Sequence, residues 1–344
     1  MRILNLFLVL VAISAIAIVH AQPLLDFGHA EADASAQGGQ PSASVPTTTD
    51  ADIKKWMTEL SNWGRWGKED QRGTLNLITP AVRKQALALA REGTSVSLAH
   101  TVDKDKALDS PRPLQQAMTL DNAGHAMDLY TIWYHGSVIT HIDSLCHYSF
   151  ENKLYNGFDR SKIAEGVGCP QNGVEQQKDG IMTRGILVDL PLMKKVPYLA
   201  EGTPVTAADL EAWEKFANVK IRAGDAVFLR TGRWAQRAEK GAWNVARSAA
   251  GWHASVMPFL KQRDVALLGN DAVNDVQPSQ VEGNSRPIHQ LAIVALGLPL
   301  VDVMDLEAVA QVASRLKRWE FLLTAAPVPV LGGTGFPLNP IATF

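Results

Sequence analysis

Apolar positions recur at a spacing of three to four residues in several segments, and this spacing is typical of amphipathic helices. Residues 79–93 show it, with a proline in the first turn. Residues 206–219 begin at Thr206, an N-cap residue that is followed three positions later by an aspartate, close to a capping box. Residues 285–297 are predicted to form a helix that ends at Gly297.

Short apolar runs between these segments predict strands. Residues 96–102 alternate between apolar and polar side chains, and continuous apolar runs typical of buried strands occupy residues 184–190, 224–232, 264–271 and 298–303. Helices and strands interleave along the chain, so the fold class is predicted to be α/β or α+β. Periodicity does not predict the order of the strands in a sheet.

Composition indicates a globular protein. The chain has 344 residues, of which 46% are apolar and 20% are charged, and its formal net charge is −2. This is enough apolar material for a sizeable core. Because no long basic run occurs, we expect no nucleic-acid partner.

The first residues have the pattern of a secretory signal. Arg2 is followed by an apolar run over residues 3–19, and the small residues Val19 and Ala21 stand at positions −3 and −1 of a cleavage site before Gln22. An uncleaved membrane anchor is the alternative interpretation. We expect the protein to be exported, to the periplasm or outside the cell, with no membrane attachment after cleavage.

A change of composition after this segment predicts the domain organisation. Residues 1–21 are the predicted signal peptide, and residues 22–50, rich in Ala, Ser, Gly, Gln, Pro and Thr, are predicted to form a flexible leader. Residues 51–344 show neither an internal repeat nor a second composition break, and we expect one domain there.

The two cysteines, Cys146 and Cys169, leave several interpretations open. An exported protein could pair them, but two cysteines do not make a disulfide scaffold. Cys146 is alternatively a soft metal ligand or a small buried thiol, and the sequence assigns it no role.

The segment THIDSLCHYSF, residues 140–150, carries the candidate chemistry. His141 and Asp143 share a face of an extended segment, and His147 lies further along it in an otherwise apolar stretch. Buried polar groups are costly unless they are paired. The spacing therefore suits a divalent ion of the zinc or manganese kind, with a hydrogen bond between His141 and Asp143 as the alternative.

The segment THIDSLCH resembles the HxGTHxDxPxH signature of the metal-dependent cyclase family, whose members include bacterial kynurenine formamidase and isatin hydrolase. Further segments resemble that family in its expected order, at residues 62–79, 183–191, 224–234, 264–279, 287–310 and 332–344. The resemblance implies an α/β domain with a central, barrel-like β-structure flanked by helices, and a homo-oligomer.

The resemblance also implies roles for individual residues. His141 and Asp143 match the metal ligands of the motif, and His147 matches its proton-transfer residue. His289 matches a further ligand, and Asp302 matches a position at which the family usually has glutamate. The cofactor expected from this set is a divalent metal, Zn or Mn, held as a single ion with water at its open positions. A site with two ions is the alternative.

The front of the motif departs from the family pattern. The first ligand histidine of the family falls at Ser137, and Ile139 and Leu145 replace the usual glycine and proline. His135 stands two residues before Ser137, but in a straight strand it would lie roughly 20 Å from His141 at ~3.3 Å per residue. His135 could therefore bind through a bend, Ser137 or water could take the place, or the ion could have fewer protein ligands.

Other residues are candidates for the substrate pocket. Trp63 and Trp66 could line it, as a tryptophan near the N-terminus does in formamidase relatives, and core packing is the alternative. Arg233 could bind a substrate carboxylate in bidentate fashion or form a structural ion pair. Asp271 lies at the end of a predicted strand, where a pocket residue or a residue supporting a ligand is expected.

The expected function is hydrolysis of an amide, a formamide or a cyclic amide, by a metal-activated water with His147 as general base. Lactone hydrolysis, a cyclase or dehydratase reaction, and a non-catalytic exported small-molecule-binding protein are the alternatives. No GxSxG motif supports a serine hydrolase. The expected partner is a small-molecule substrate.

Overall fold

The computed structural model of the protein describes residues 45–344. The predicted signal peptide (1–21) and most of the predicted leader (22–50) lie outside the described residues, so both stay predictions. The first described helix begins at Asp50, where Thr49 and Asp52 form a capping box. Within the described chain, no helix combines the length and the apolar character that crossing a membrane requires.

Helices are distributed along the whole described chain. The α-helices are α1 (Asp50–Glu59), α2 (Pro80–Leu87), α3 (Leu190–Lys194), α4 (Ala207–Ala217), α5 (Arg233–Lys240), α6 (Met257–Gln262), α7 (Pro287–His289) and α8 (Glu307–Leu316). A π-helix, Gln290–Leu296, continues α7 directly. Short 3₁₀ helices occupy Gly73–Leu77, Tyr155–Gly157, Arg160–Lys162, Val174–Gln177 and Ala254–Val256.

The strands are β1 (Ser95–Ser97), β2 (Gln115–Leu120), β3 (Ala126–Thr131), β4 (His141–Asp143), β5 (Ile181–Asp189), β6 (Pro204–Val205), β7 (Ala226–Arg230), β8 (Gly251–Trp252), β9 (Leu267–Asn270), β10 (Leu300–Asp302), β11 (Glu320–Ala325), β12 (Gly335–Pro337) and β13 (Ile341–Thr343). Nine of them form one sheet in the order β1-β13-β11-β5-β7-β9-β10-β4-β12, and β2 pairs with β3 and β6 with β8.

The large sheet has a parallel centre and antiparallel margins. Strands β5, β7, β9 and β10 run parallel to one another, whereas β4 lies antiparallel between β10 and β12. The sheet curls into a half-barrel flanked by helices. The predicted α/β class with a barrel-like β-structure is therefore confirmed.

Side chains of the central strands are buried on both faces of the sheet, as expected for parallel strands covered by helices. Along β7, Val227 and Leu229 pack into one apolar cluster, and Phe228 packs into the other. Trp213 of α4 belongs to the first cluster, and Val309 of α8 belongs to the second. The continuous apolar run in the sequence thus reflects burial from two sides.

Some predicted boundaries are confirmed and others are wrong. The capping box of Thr206 and Asp209 begins α4, and the π-helix ends at Gly297, which has a left-handed conformation. The helix predicted over residues 79–93 ends at Leu87 instead, and the strand predicted over 96–102 is limited to β1. Tertiary hydrogen bonds account for this difference, because Arg318 donates to the carbonyl of Leu89 and the amide of Glu92 donates to Phe344.

Candidate metal centre

Strand β4 carries the centre of the candidate site. It pairs with β10 in a register that places Asp302 opposite His141 and Leu300 opposite Asp143. Residues directly opposite each other on paired strands project to the same face. His141, Asp143 and Asp302 therefore converge, and one ligand atom from each lies within 4.8 Å of the others.

Asp143 is fully buried, and neither of its carboxylate oxygens has a hydrogen-bond partner within residues 45–344. Its Oδ1 is 3.6 Å from His141 Nε2 and 3.9 Å from His147 Nε2. Its Oδ2 is 3.7 Å from His289 Nε2. These three distances exceed the usual range of an N–H···O hydrogen bond. His135 Nδ1 is closer to Oδ1, at 3.2 Å, but forms no hydrogen bond with it, so the carboxylate is surrounded by imidazole nitrogens without being satisfied by them.

The imidazoles of His141 and His289 are fixed by hydrogen bonds on the nitrogen that faces away from Asp143. His141 Nδ1 lies 2.7 Å from the carbonyl oxygen of Ile139 and donates to it. His289 Nδ1 donates to Asp275 Oδ2. This arrangement leaves Nε2 of each ring directed at the carboxylate, as in histidines that bind metal ions.

A bend in the chain brings His135 into the same cluster. Residues 135–139 depart from an extended path, and His135 Nδ1 lies 3.2 Å from Asp143 Oδ1. Its Nε2 is 2.9 Å from Thr334 Oγ1, and its ring stacks on His147 with a centroid separation of 3.9 Å. Three interpretations of the missing first ligand were open, and the structure has the geometry of the first, in which a bend brings His135 to the site. The ligand role itself stays a prediction.

The electrostatics of the cluster follow from burial and from charge. Burial raises the pKa of Asp143, but the imidazoles of His147, His135 and His141 outweigh it and hold that pKa well below its usual range. Burial lowers the pKa of His147 to about 4, against the opposing charge of Asp143.

The pKa of His289 is shifted in the opposite direction to that of His147. Burial lowers its pKa, but the hydrogen bond to Asp275 and the nearby carboxylate of Asp302 outweigh burial and raise the pKa to about 10. Its Nε2 lies 3.7 Å from Asp143 Oδ2 and 3.6 Å from Asp302 Oδ2. A metal ion binds to a deprotonated imidazole nitrogen.

The residues present fit a divalent cation. Two ligand atoms held about 2.1 Å from one ion at the tetrahedral angle lie roughly 3.4 Å apart, close to the separations around Asp143. Two groups could hold an ion, namely His135, Asp143 and His147, and His141, Asp143 and Asp302. The shared residue is Asp143, the one whose oxygens lack partners.

The cluster opens into a cavity of about 230 Å³. Its wall contains the histidines of the cluster together with other polar and apolar groups. The lining residues are His135, Gly136, Ser137, His141, His147, Tyr148, Ala246, Val273, Arg286, His289 and Asp302. The volume suits a small molecule.

The predicted pocket residues Trp63 and Trp66 are not among the residues that line this cavity. Trp63 donates its indole N–H to the carbonyl of Val294 at 2.7 Å, on the π-helix. The Trp66 ring packs under the guanidinium of Arg65. Both side chains contact other groups in this structure, and their role in binding a substrate stays a prediction.

Arg233 and Asp271 do not line this cavity. Arg233 is buried, and its Nη2 donates to Asp109 and to the carbonyl of Ser137. Asp271 accepts hydrogen bonds from the amides of Thr231 and Gly232. Of the two interpretations of Arg233, the structure has the structural ion pair, which Arg233 forms with Asp109. The carbonyl of Ser137 is held in place, while its side chain belongs to neither ligand group.

Cys146 and Cys169 are joined by a disulfide bond. The reading of Cys146 as a soft metal ligand is therefore wrong, because its sulfur is bonded to Cys169. The bond ties the segment after β4 to a loop 23 residues further along the chain.

Several residues of the site were not found from the sequence. Asp275 orients His289, Asn274 donates its amide to Asp302, and Thr334 contacts His135. Tyr148 and Arg286 line the cavity. Asp275 follows the strand β9 in the polar segment NDAVND, which is the signal that could have indicated it.

Comparison with known proteins adds a family and a fold. A family model described as putative cyclase matches residues 96–274. A crystal structure described as a novel cyclase has a TM-score of 0.74 and 28% sequence identity, over 84% of this chain and 99% of that chain. The comparison with curated proteins gives no match.

Isatin hydrolases have a similar fold. Isatin hydrolase A from Labrenzia aggregata, bound to benzyl benzoate, has a TM-score of 0.55 and 18% identity, over 76% of this chain and 98% of that chain. Isatin hydrolase A from Ralstonia solanacearum has a TM-score of 0.55 and 20% identity, over 77% of this chain and 97% of that chain. At these identities the similarity concerns the fold alone.

Proposed function

Since the chain belongs to the putative cyclase family, we propose that it is a metal-dependent hydrolase that cleaves the carbon–nitrogen bond of an amide. A formamide or a cyclic amide is the proposed substrate, in the manner of an arylformamidase. The observation that carries the proposal is the buried carboxylate of Asp143, which imidazole nitrogens surround and do not satisfy.

The residues proposed to hold the ion are His141, Asp143, His289 and Asp302, with His135 as a further donor. Their nitrogen and carboxylate oxygen atoms suit Zn²⁺ or Mn²⁺. Such an ion, when bound, supplies a Lewis acid for a carbonyl oxygen and lowers the pKa of water. A buried carboxylate without partners is costly, and a cation at this place removes that cost.

His147 is proposed as the general acid–base group. Its Nε2 is the imidazole nitrogen farthest from Asp143 among those in contact, at 3.9 Å, and its ring lines the cavity. From this place the imidazole takes a proton from the attacking water and returns it to the departing nitrogen. Its stacking on His135 holds the ring in position.

The similarity to isatin hydrolases in fold supports cyclic amides as the first substrates to test. The test uses purified protein reconstituted with Zn²⁺ or Mn²⁺ and a panel of formamides, cyclic amides and lactones. We expect an amide to be hydrolysed, a chelator to abolish turnover, and the metal to restore it.

Three outcomes would contradict the proposal in different ways. Turnover of lactones alone would indicate a lactone hydrolase, and a product formed by loss of water would indicate a cyclase or dehydratase. Binding of small molecules without turnover of any panel member, by a protein with no stoichiometric metal, would indicate a non-catalytic binding protein.

We also propose that the protein is exported, to the periplasm or outside the cell, and that it works as a homo-oligomer on a small molecule. The disulfide between Cys146 and Cys169 supports export, because such bonds persist in oxidising compartments. Fractionation of cells that express the full chain tests the location, and light scattering on the purified protein tests the assembly.

A further inference from the structure

Arg286 lines the cavity beside the candidate metal centre. The residue is partly buried, and its Nη1 is buried without a hydrogen-bond partner among the described residues. Its guanidinium also takes part in none of the salt bridges found between residues 45 and 344. A buried donor of a permanently charged group without a partner is costly, and it indicates that the partner comes from outside the chain.

The carboxylate of Asp275, which acts on Tyr148 together with Arg286, is already occupied. Asp275 accepts the amide of Ile288 at its Oδ1 and the imidazole of His289 at its Oδ2. Burial and Asp275 raise the pKa of Tyr148, and the charge of Arg286 opposes them. Tyr148 and Arg286 therefore lie close enough to influence each other on the cavity wall.

Tyr148 links this part of the wall to the metal centre. Its ring lies 6.0 Å from that of His289, centroid to centroid. One small molecule can therefore contact Tyr148 and Arg286 at one end and the histidines at the other.

The backbone that carries Arg286 is held in place by side chains of the preceding loop. Asn284 Oδ1 accepts from the amide of Arg286 at 3.2 Å, and Asn284 Nδ2 donates to Gln290 Oε1 at 2.9 Å. The carbonyl of Asn284 in turn accepts from the hydroxyl of Ser279. The guanidinium is therefore presented by a fixed segment, which reduces the entropy lost on binding.

We infer that Arg286, assisted by the hydroxyl of Tyr148, binds a carboxylate of the substrate, so that the substrate is an amide that carries a separate carboxylate. The planar guanidinium matches a carboxylate with two parallel hydrogen bonds. The inference rests on the proposed hydrolase function, since it names the class of amide. The cavity of about 230 Å³ limits this substrate to a small amido acid.

The test measures binding without turnover. The probes are 2-aminobenzoate and aniline, which differ only in the carboxylate, titrated by calorimetry into the full, metal-reconstituted protein. We expect the acid to bind about 10- to 100-fold more tightly than aniline. Arg286→Met should remove most of this preference and leave the binding of aniline and the metal content unchanged.

Arg247→Met is the matched control. Arg247 is exposed and stands next to Ala246, which lines the cavity, but Arg247 itself does not line it. This variant loses the same charge and should keep the preference for the acid. If Arg286→Met does not fold, Arg286→Gln decides, because it retains a polar side chain and loses the charge.

A preference for the acid that persists without the Arg286 charge would overturn the inference. Equal binding of the acid and aniline by the unaltered protein would also overturn it. The two proposals fail separately. Absent amide turnover with an Arg286-dependent preference contradicts the hydrolase function, and with it the amide nature of the ligand, but supports the carboxylate site. Amide turnover without such a preference contradicts only the carboxylate site.

Discussion

Asp143 has no solvent exposure, and its two oxygens accept no hydrogen bond from any residue in the described range 45–344. Its neighbours differ in how firmly they are held. His141 and His289 are each fixed through Nδ1, whereas His147 is held by stacking on His135. This difference separates the residues proposed to hold an ion from the residue proposed to move a proton.

The first prediction concerns His147. We expect His147→Ala to retain the metal and to lose turnover by on the order of 10²–10⁴-fold, because a general acid–base group contributes about that much. His141→Ala should lose metal and activity together. Metal analysis and steady-state kinetics on both variants check this. Release of the metal from His147→Ala as readily as from His141→Ala would instead assign His147 as a ligand.

The second prediction concerns Asp275, which accepts the Nδ1 proton of His289. Asp275→Asn should weaken metal binding about 10- to 100-fold, since it loses the charged partner that orients the imidazole. Competition with a chromophoric chelator measures the affinity. Asp305→Asn is the control, because Asp305 pairs with His100 in a similar way away from the cluster. Equal affinities in the two variants would show that this orientation has no effect on the metal.

Sequence reasoning found His141, Asp143, His289 and Asp302 through the motif, and the structure brings these four together. It could not place His135, because the spacing alone gives a long separation in a straight strand and the bend at residues 135–139 depends on tertiary contacts. It also missed Arg286 and Asp275, whose importance depends on neighbours that are distant in sequence.

Among the elements, the segment from α7 through the π-helix to β10 positions His289 and Asp302. The helical part of this segment ends at Gly297, which has a φ of 64°. A Cβ atom at this position would overlap the ring of Tyr155. The glycine is therefore required both for the left-handed turn and for the close packing of Tyr155.

The third prediction follows from this contact. Gly297→Ala should lower the free energy of unfolding by about 2 kcal/mol or more, from left-handed strain together with overpacking. Gly93→Ala is the control, since Gly93 has a φ of 63° and a Cβ atom there would have no neighbour within 4 Å. Urea denaturation of both variants measures the difference. The packing argument fails if the two variants are destabilised equally.

Local signals predicted some elements well and others poorly. The capping box at Thr206 and the stop at Gly297 depend on neighbours in sequence, so they were predictable. The early end of α2 and the short β1 depend on hydrogen bonds with Arg318 and Phe344, at the other end of the chain. No window of sequence around α2 contains that information.

Over the whole molecule, the curled sheet places β4 between β10 and β12, and the disulfide holds the segment that follows β4. The interleaved pattern predicted the α/β class, and the resemblance to the cyclase family implied the barrel-like sheet. Strand order could not be predicted, because β4 is a very short strand and pairs with strands that are distant in sequence.

The fourth prediction concerns the disulfide. Reduction of the folded protein should lower the free energy of unfolding by about 3 kcal/mol, the value expected for a closed loop of this length. Urea denaturation with and without reductant measures it. The double variant Cys146→Ser and Cys169→Ser should not respond to reductant. Two reactive thiols in the protein as purified under oxidising conditions would contradict the bond.

The most direct test of the metal centre is the metal content of purified protein after reconstitution with Zn²⁺ or Mn²⁺ and removal of excess ion. We expect about one ion per chain in the unaltered protein and none in Asp143→Ala. The control Asp128→Ala, which alters an exposed carboxylate on β3, should retain the ion. An unaltered protein without stoichiometric metal, or an Asp143→Ala variant with undiminished metal, would contradict the account.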